Sequence, residues 1–176
     1  MMNVIRSGLN VPKRRFNEHE AKVVNYEIPG QGPITIKTII LDLNGTLSVG
    51  GVIPDGVKPR LDKLKEMGFK VLFFTGNTRN DADGLAADLG IEWKLAKSDA
   101  DKRDLALELD PETCASVGNG LIDLELMKVV KLAIVTLQSE GVHVQTLLVS
   151  DIVVPNINDA LDLFIDSQRL VATLRK

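Results

Sequence analysis

The chain holds a single cysteine, Cys114, in 176 residues. One thiol excludes an internal disulfide framework and leaves no cysteine cluster for zinc, so a reducing, cytoplasmic setting is expected. Histidine is almost as scarce. His19 and His143 are the only two, and since neither falls in the polar motifs below, both are expected on the surface or on a helix face. An excess of positive charge is also missing. The formal net charge is -3, so the molecule has no field that would draw it onto nucleic acid or an anionic membrane, and any anion must be bound locally. Long apolar runs are absent as well: the stretch 129–137 is broken by Lys131. The N-terminus carries Arg6, Lys13, Arg14 and Arg15 without an apolar segment behind them. Neither a signal peptide nor a membrane span is therefore expected. No internal repeat is visible.

What is present suits one compact core, because 44% of the residues are hydrophobic and 176 residues would be cramped as two domains. Residues 1–22 mix Asn, Arg, Lys, Glu and Pro without period and read as a flexible basic arm, either a solvated tail or a dock for an acidic partner. The domain proper is expected over 23–176. It opens with two β-rich stretches, 23–28 and 34–37, around the turn signal Pro29-Gly30-Gln31-Gly32-Pro33, which predicts a small antiparallel edge. Buried strands then follow at 38–41, 70–74, 91–95, 114–117, 132–137 and 151–154, and helical spacing falls between them near 57–67, 81–89, 100–109, 123–130 and 140–148. A last helix is expected over 157–174. This alternation predicts an α/β fold of three layers, a doubly wound, mainly parallel sheet with helices on both faces.

Ligands of such sheets bind at the carboxyl ends of the strands, and three strand ends carry small polar residues punctuated by glycine. Asp42-Leu43-Asn44-Gly45-Thr46-Leu47 presents a carboxylate directly after four apolar residues; it is either reactive or a cap of the following turn. Phe73-Phe74-Thr75-Gly76-Asn77-Thr78 offers a hydroxyl and backbone N–H groups to phosphate oxygens, or else an N-cap. Gly118-Asn119-Gly120-Leu121-Ile122-Asp123 allows close backbone approach and places Asp123 within reach of a cation, or caps a helix. Lys102 opens a helix, where a cation opposes the dipole and is misplaced for a mere surface lysine. Lys94 and Lys97 are rivals for its role. Trp93 is expected in the core or at its rim.

Taken together, Asp42, Thr75, Lys102 and the Asn119/Asp123 pair resemble, in order and spacing, the four motifs of the haloacid dehalogenase superfamily. The resemblance covers roughly 34–176. It is strongest to the soluble P-type ATPase-like group, through the Asp-Leu-Asn-Gly-Thr-Leu motif and the C-terminal stretches 159–163 and 169–175. The resemblance implies a magnesium-dependent phosphohydrolase or phosphotransferase working through an aspartyl-phosphate on Asp42, with a phosphorylated substrate of unknown identity. In that reading Asp42, Asn44, Thr75 and Lys102 are catalytic. Thr46, Gly76 and Asn77 bind substrate. Asp42, the carbonyl of Asn44, Asn119 and Asp123 hold or orient Mg2+.

Two departures narrow the expectation. Asn44 stands where most phosphatases of the superfamily have an acid/base Asp, so turnover should be slow or ATPase-like, and Asn119 replaces a carboxylate, so magnesium should bind more weakly. The alternative is a non-catalytic phosphate- or partner-binding scaffold of the same fold. The stretches 48–57 and 75–102 are too short for a cap domain. A capless site with a small substrate would need an oligomeric neighbour to exclude water, for which Leu161, Leu163, Phe164 and Ile165 are candidates if they do not pack on their own sheet.

Overall fold

The computed structural model describes residues 22–138 and 140–176; the expected basic arm, apart from Lys22, lies outside the described residues, and so does His19. The chain begins with β1 (Val24–Ile28) and β2 (Gly32–Ile36), paired antiparallel with Val24 opposite Ile36. Gly30 takes a positive φ of 81° in the connecting turn, which a Cβ would disfavour. The hairpin is a sheet of its own, not an edge of the larger one. Its inward residue Tyr26 is buried and donates its hydroxyl to the carbonyl of Phe164 at 3.0 Å, so the hairpin is held by the C-terminal helices.

Six parallel strands follow: β3 (Thr38–Asp42), β4 (Lys70–Thr75), β5 (Glu92–Leu95), β6 (Cys114–Gly118), β7 (Leu132–Thr136) and β8 (Ile152–Val154), in spatial order β5-β4-β3-β6-β7-β8. Every residue of β3 is buried, as a central strand covered on both faces requires. Its side chains alternate between two cores. Ile39 and Leu41, with Val71 and Phe73 of β4, enter the larger one beneath Leu61 and Leu64 of α1 (Val57–Met67). That core also takes Ala82 and Leu89 of α2 (Ala82–Leu89). Ile40, Leu72 and Phe74 face the opposite way, toward Ala106 of α3 (Asp99–Leu107) and Leu126 of α4 (Leu124–Met127). Trp93 lies at the rim of the larger core, stacked on Phe73 with ring centroids 6.5 Å apart while its indole N–H reaches Asp83 at 2.9 Å.

The helical expectations were too long at three places. In the stretch 123–130 Asp123 ends a 3-10 turn, Leu121–Asp123, and only the short α4 follows, while α5 (Val144–Leu148) starts only after a loop in which Gly141 has φ 81°. The expected terminal helix is two helices, α6 (Ile157–Ile165) and α7 (Ser167–Leu174). Asp166 between them is extended, at φ -108° and ψ 95°, and its carboxylate accepts the N–H of Gln168, capping α7. Leu161, Leu163 and Phe164 are buried in their own core and Ile165 packs against it. They are therefore spent within the subunit and give no intersubunit face.

The topology fixes where a ligand can go. From β3 the chain winds outward through β4 to β5, then returns to the other side of β3 for β6, β7 and β8. The reversal leaves a crevice at the carboxyl ends of β3 and β6. Asp42 ends β3, and Asn119 directly follows β6.

Candidate active site

Lys102 owes its position to the start of α3. Ser98 caps the helix by accepting the N–H of Asp101 at 3.1 Å, and the Asp101 carboxylate returns the bond to the N–H of Ser98 at 3.1 Å. This reciprocal cap fixes the first turn and with it the next residue, Lys102. The lysine is 1% exposed, and its Nζ lies 2.5 Å from Asp42 Oδ1 and 2.7 Å from Asp123 Oδ1. The rivals Lys94, on β5, and the exposed Lys97 form no ion pair with Asp42 or Asp123, which both pair with Lys102.

Asp123 is fully buried. One oxygen takes Lys102; the other accepts the N–H groups of Asn119 and Gly120, both at 3.0 Å. The chain can fold this tightly because Gly118 has no side chain: a Cβ there would stand 2.5 Å from the Asp123 carboxyl. Asn119 is held in turn, donating from Nδ2 to the carbonyl of Gly141 at 2.9 Å and accepting the Thr46 hydroxyl at 3.2 Å.

Below these residues the turn after β3 closes on itself. The N–H of Leu47 reaches the carbonyl of Asp42 at 3.1 Å, and that of Ser48 the carbonyl of Leu43 at 2.8 Å. Gly45, at φ 79°, makes the reversal possible. Asn44 is left exposed. On the other flank Thr75 is buried, and its hydroxyl accepts the N–H of Asn77 at 3.1 Å. Asn77 itself takes φ 49° and accepts the N–H of Ala82 at 3.2 Å, so its side-chain oxygen serves the start of α2. Gly76 is half-buried beside it.

Electrostatics single out Asp42. Burial, followed by the charge of Asp123, pushes its carboxyl up to about 7, and Lys102 only partly offsets them. Burial also works against the Lys102 ammonium, yet Asp123 and Asp42 outweigh it and hold that group above the usual lysine range. Two buried carboxylates thus share one cation. The arrangement has room for further positive charge, which is the donor chemistry a divalent cation requires, with neutral oxygens at Asn44 and Asn119 close in the chain. Among the described residues no group of three or more His, Cys, Asp or Glu forms a ready-made cage. Any metal would therefore lean on Asp42 and neutral oxygens.

Sequence reasoning passed over the loop after β7. Gln138 donates from Nε2 to the carbonyl of Gly45 at 3.0 Å and to that of Thr46, while its Oε1 accepts the N–H of Ile157 at 3.3 Å. It ties the β3 turn to the start of α6. Glu140 accepts the N–H of Gly50 at 3.1 Å. The strand-end rule that located the other three loops applied to this fourth one too, and its Gln138-Ser139-Glu140-Gly141 sequence was the available signal.

No protein-family model matches the chain. Among curated proteins it is 30% identical over 135 residues to a soluble P-type ATPase-like phosphatase of Methanocaldococcus jannaschii, an alignment covering 74% of this chain and 50% of that protein. The chain thus spans half the length of that relative. An uncharacterized protein of the same organism is 40% identical over 89 residues, 51% of this chain and 85% of the relative. Its fold is shared with haloacid dehalogenase-type hydrolases and sugar-phosphate phosphatases of solved structure. One of these, the 3-deoxy-D-manno-octulosonate 8-phosphate phosphatase of Moraxella catarrhalis, solved with magnesium and phosphate, has a TM-score of 0.63 and 23% identity over 78% of this chain and 90% of that one. The chain is thus similar in sequence to a soluble P-type ATPase-like phosphatase and shares the fold of haloacid dehalogenase-type hydrolases.

Proposed function

We propose that the protein is a magnesium-dependent phosphohydrolase or phosphotransferase in which Asp42 accepts the phosphoryl group. The observation that carries this reading is Lys102, buried and in contact with both Asp42 and Asp123 at the topological switch point. A lysine there favours the ionised form of Asp42 against its burial and offsets charge as a phosphoryl group approaches.

The free oxygen of Asp42 attacks phosphorus in line; the bond from phosphorus to the leaving oxygen breaks, and an aspartyl-phosphate forms. Thr75 and the Gly76 N–H steady the phosphate oxygens, with Thr46 and Asn77 shaping the surrounding turns. Water then attacks the phosphorus, releasing phosphate and restoring the carboxylate. Magnesium, held by Asp42, the Asn44 carbonyl and Asn119, would supply charge neutralisation between enzyme and phosphate. Asp123 has both oxygens engaged by Lys102, Asn119 and Gly120, so it acts by orienting the shell and not as a direct ligand.

Asn44 sets the rate. Its amide neither protonates a leaving group nor takes a proton from water, and such help is typically worth about 10²- to 10⁴-fold. Turnover is therefore slow and favours substrates with good leaving groups. Asn44→Asp should raise turnover of p-nitrophenyl phosphate with magnesium by about 10²-fold, the lower end of the range for general acid–base catalysis; a folded variant with unchanged or lower turnover would show that the acid/base deficit does not limit the rate. The broader test is turnover of the wild-type chain against Asp42→Ala. Equal rates in the two would remove the enzymatic reading and leave a phosphate-binding scaffold.

A further inference from the structure

Magnesium sites of this kind need negative charge, and the charge count here is short. Asp42 and Asp123 bring two negative charges and Lys102 one positive, while Asn119 contributes an amide. One negative charge is too little to balance a divalent cation. Glu140, on the loop after β7, stands beside the deficit. A Cβ built on Gly45 would lie 2.8 Å from Glu140 Oε2, 2.7 Å from Asn119 Nδ2 and 3.0 Å from Asn119 Oδ1. The glutamate and the asparagine thus converge on one point above the turn that carries Asp42. Glu140 is positioned there by its other oxygen, which accepts the Gly50 N–H at 3.1 Å, and by Gly141, whose carbonyl binds the Asn119 amide at 2.9 Å.

We propose that Glu140 is a positioning residue of the cation site, supplying from the β7 loop the carboxylate charge that Asn119 lacks. The inference rests on the magnesium-dependent reading above and extends it to a residue outside the recognised motifs. Glu140 completes the balance: with it the site carries two net negative charges, matched to a divalent ion. Being outside the buried cluster, it acts through solvent or through Asn119, as outer-shell carboxylates do when they orient metal-bound groups. Gly45 is required at its position partly for this reason, since any side chain would part Glu140 from Asn119.

The test is direct binding of Mn2+ to the full chain, read by electron paramagnetic resonance of the free ion and by calorimetry, with no substrate present. Glu140→Gln keeps an oxygen for the Gly50 N–H and removes only the charge. It should weaken Mn2+ binding about 10- to 100-fold, the range for outer-shell partners. Adding Asn119→Asp to Glu140→Gln should restore most of the lost affinity, whereas a purely structural Glu140 would show no such rescue. Glu66→Gln, on the exposed face of α1, serves as the control and should bind as wild type. Unchanged binding in Glu140→Gln overturns this inference and leaves the proposed function standing. A wild-type chain that binds no Mn2+ overturns both.

Discussion

Replacing Lys102 by methionine should lower the melting temperature of the metal-free protein at neutral pH by roughly 6–20 °C, corresponding to about 3–5 kcal/mol. Methionine fills much of the same volume, so the loss would be electrostatic. Lys102 is the only cation touching Asp42 and Asp123 among the described residues, and both carboxyls are buried. Without it each would face a desolvation cost with no partner. The effect has a definite pH dependence. Because the folded state holds the lysine above its ordinary 10.5, the stabilisation is fully present through neutral pH and is lost only in strong alkali. The penalty in the variant instead shrinks in acid, since the orphaned carboxyls can take up protons. Melting curves at about pH 8 and about pH 5 check both parts, and a drop that is equal at the two would point to packing instead of charge.

Asp42→Asn should have opposite effects on activity and on stability. Turnover falls to the level of a protein-free control, because an amide oxygen does not displace the leaving group. The metal-free fold, however, gains. Asp42 titrates near 7 when folded and near 3.8 when free, so the folded state binds the proton more tightly. Stability from this group is therefore greatest in acid, declines as pH rises from 3.8 through 7, and stays low above. Asparagine abolishes that decline. It also costs Lys102 one of its two partners, so the net gain above neutral pH is modest, a rise of roughly 2–4 °C or about 1 kcal/mol. Saturating magnesium should narrow the difference, because the ion neutralises the wild-type carboxylate and finds a weaker site in the variant. Reactive sites that hold charge out of water commonly trade stability for function in this way.

The sheet was legible because β3, β4, β6 and β7 are short apolar runs, and central parallel strands covered on both faces leave little else for a sequence to encode. The candidate site was legible for a related reason: Asp42, Thr75 and Asn119 stand where those runs end. Lys102 needed the resemblance, since helical position alone did not separate it from Lys94 and Lys97. The break at Asp166 was hidden by the apolar period running through 157–174, although Asp166-Ser167 contains two residues that favour capping over helix interior. Gln138 and Glu140 were least visible. Their contacts to Gly45, Thr46 and Gly50 span about 90 residues of sequence, and such long-range approach follows from how β7 lies in the sheet, not from any local pattern.

The central claim is that Asp42 becomes phosphorylated. The chain should be incubated with magnesium and acetyl phosphate, quenched in acid, digested, and the peptide containing Asp42 weighed by mass spectrometry. The account predicts one added phosphoryl group on Asp42, stabilised in acid, enriched by the slow breakdown that Asn44 imposes, and absent from Asp42→Asn. Turnover of phosphate with no phosphoryl group at Asp42, or with the group on another residue, would contradict it.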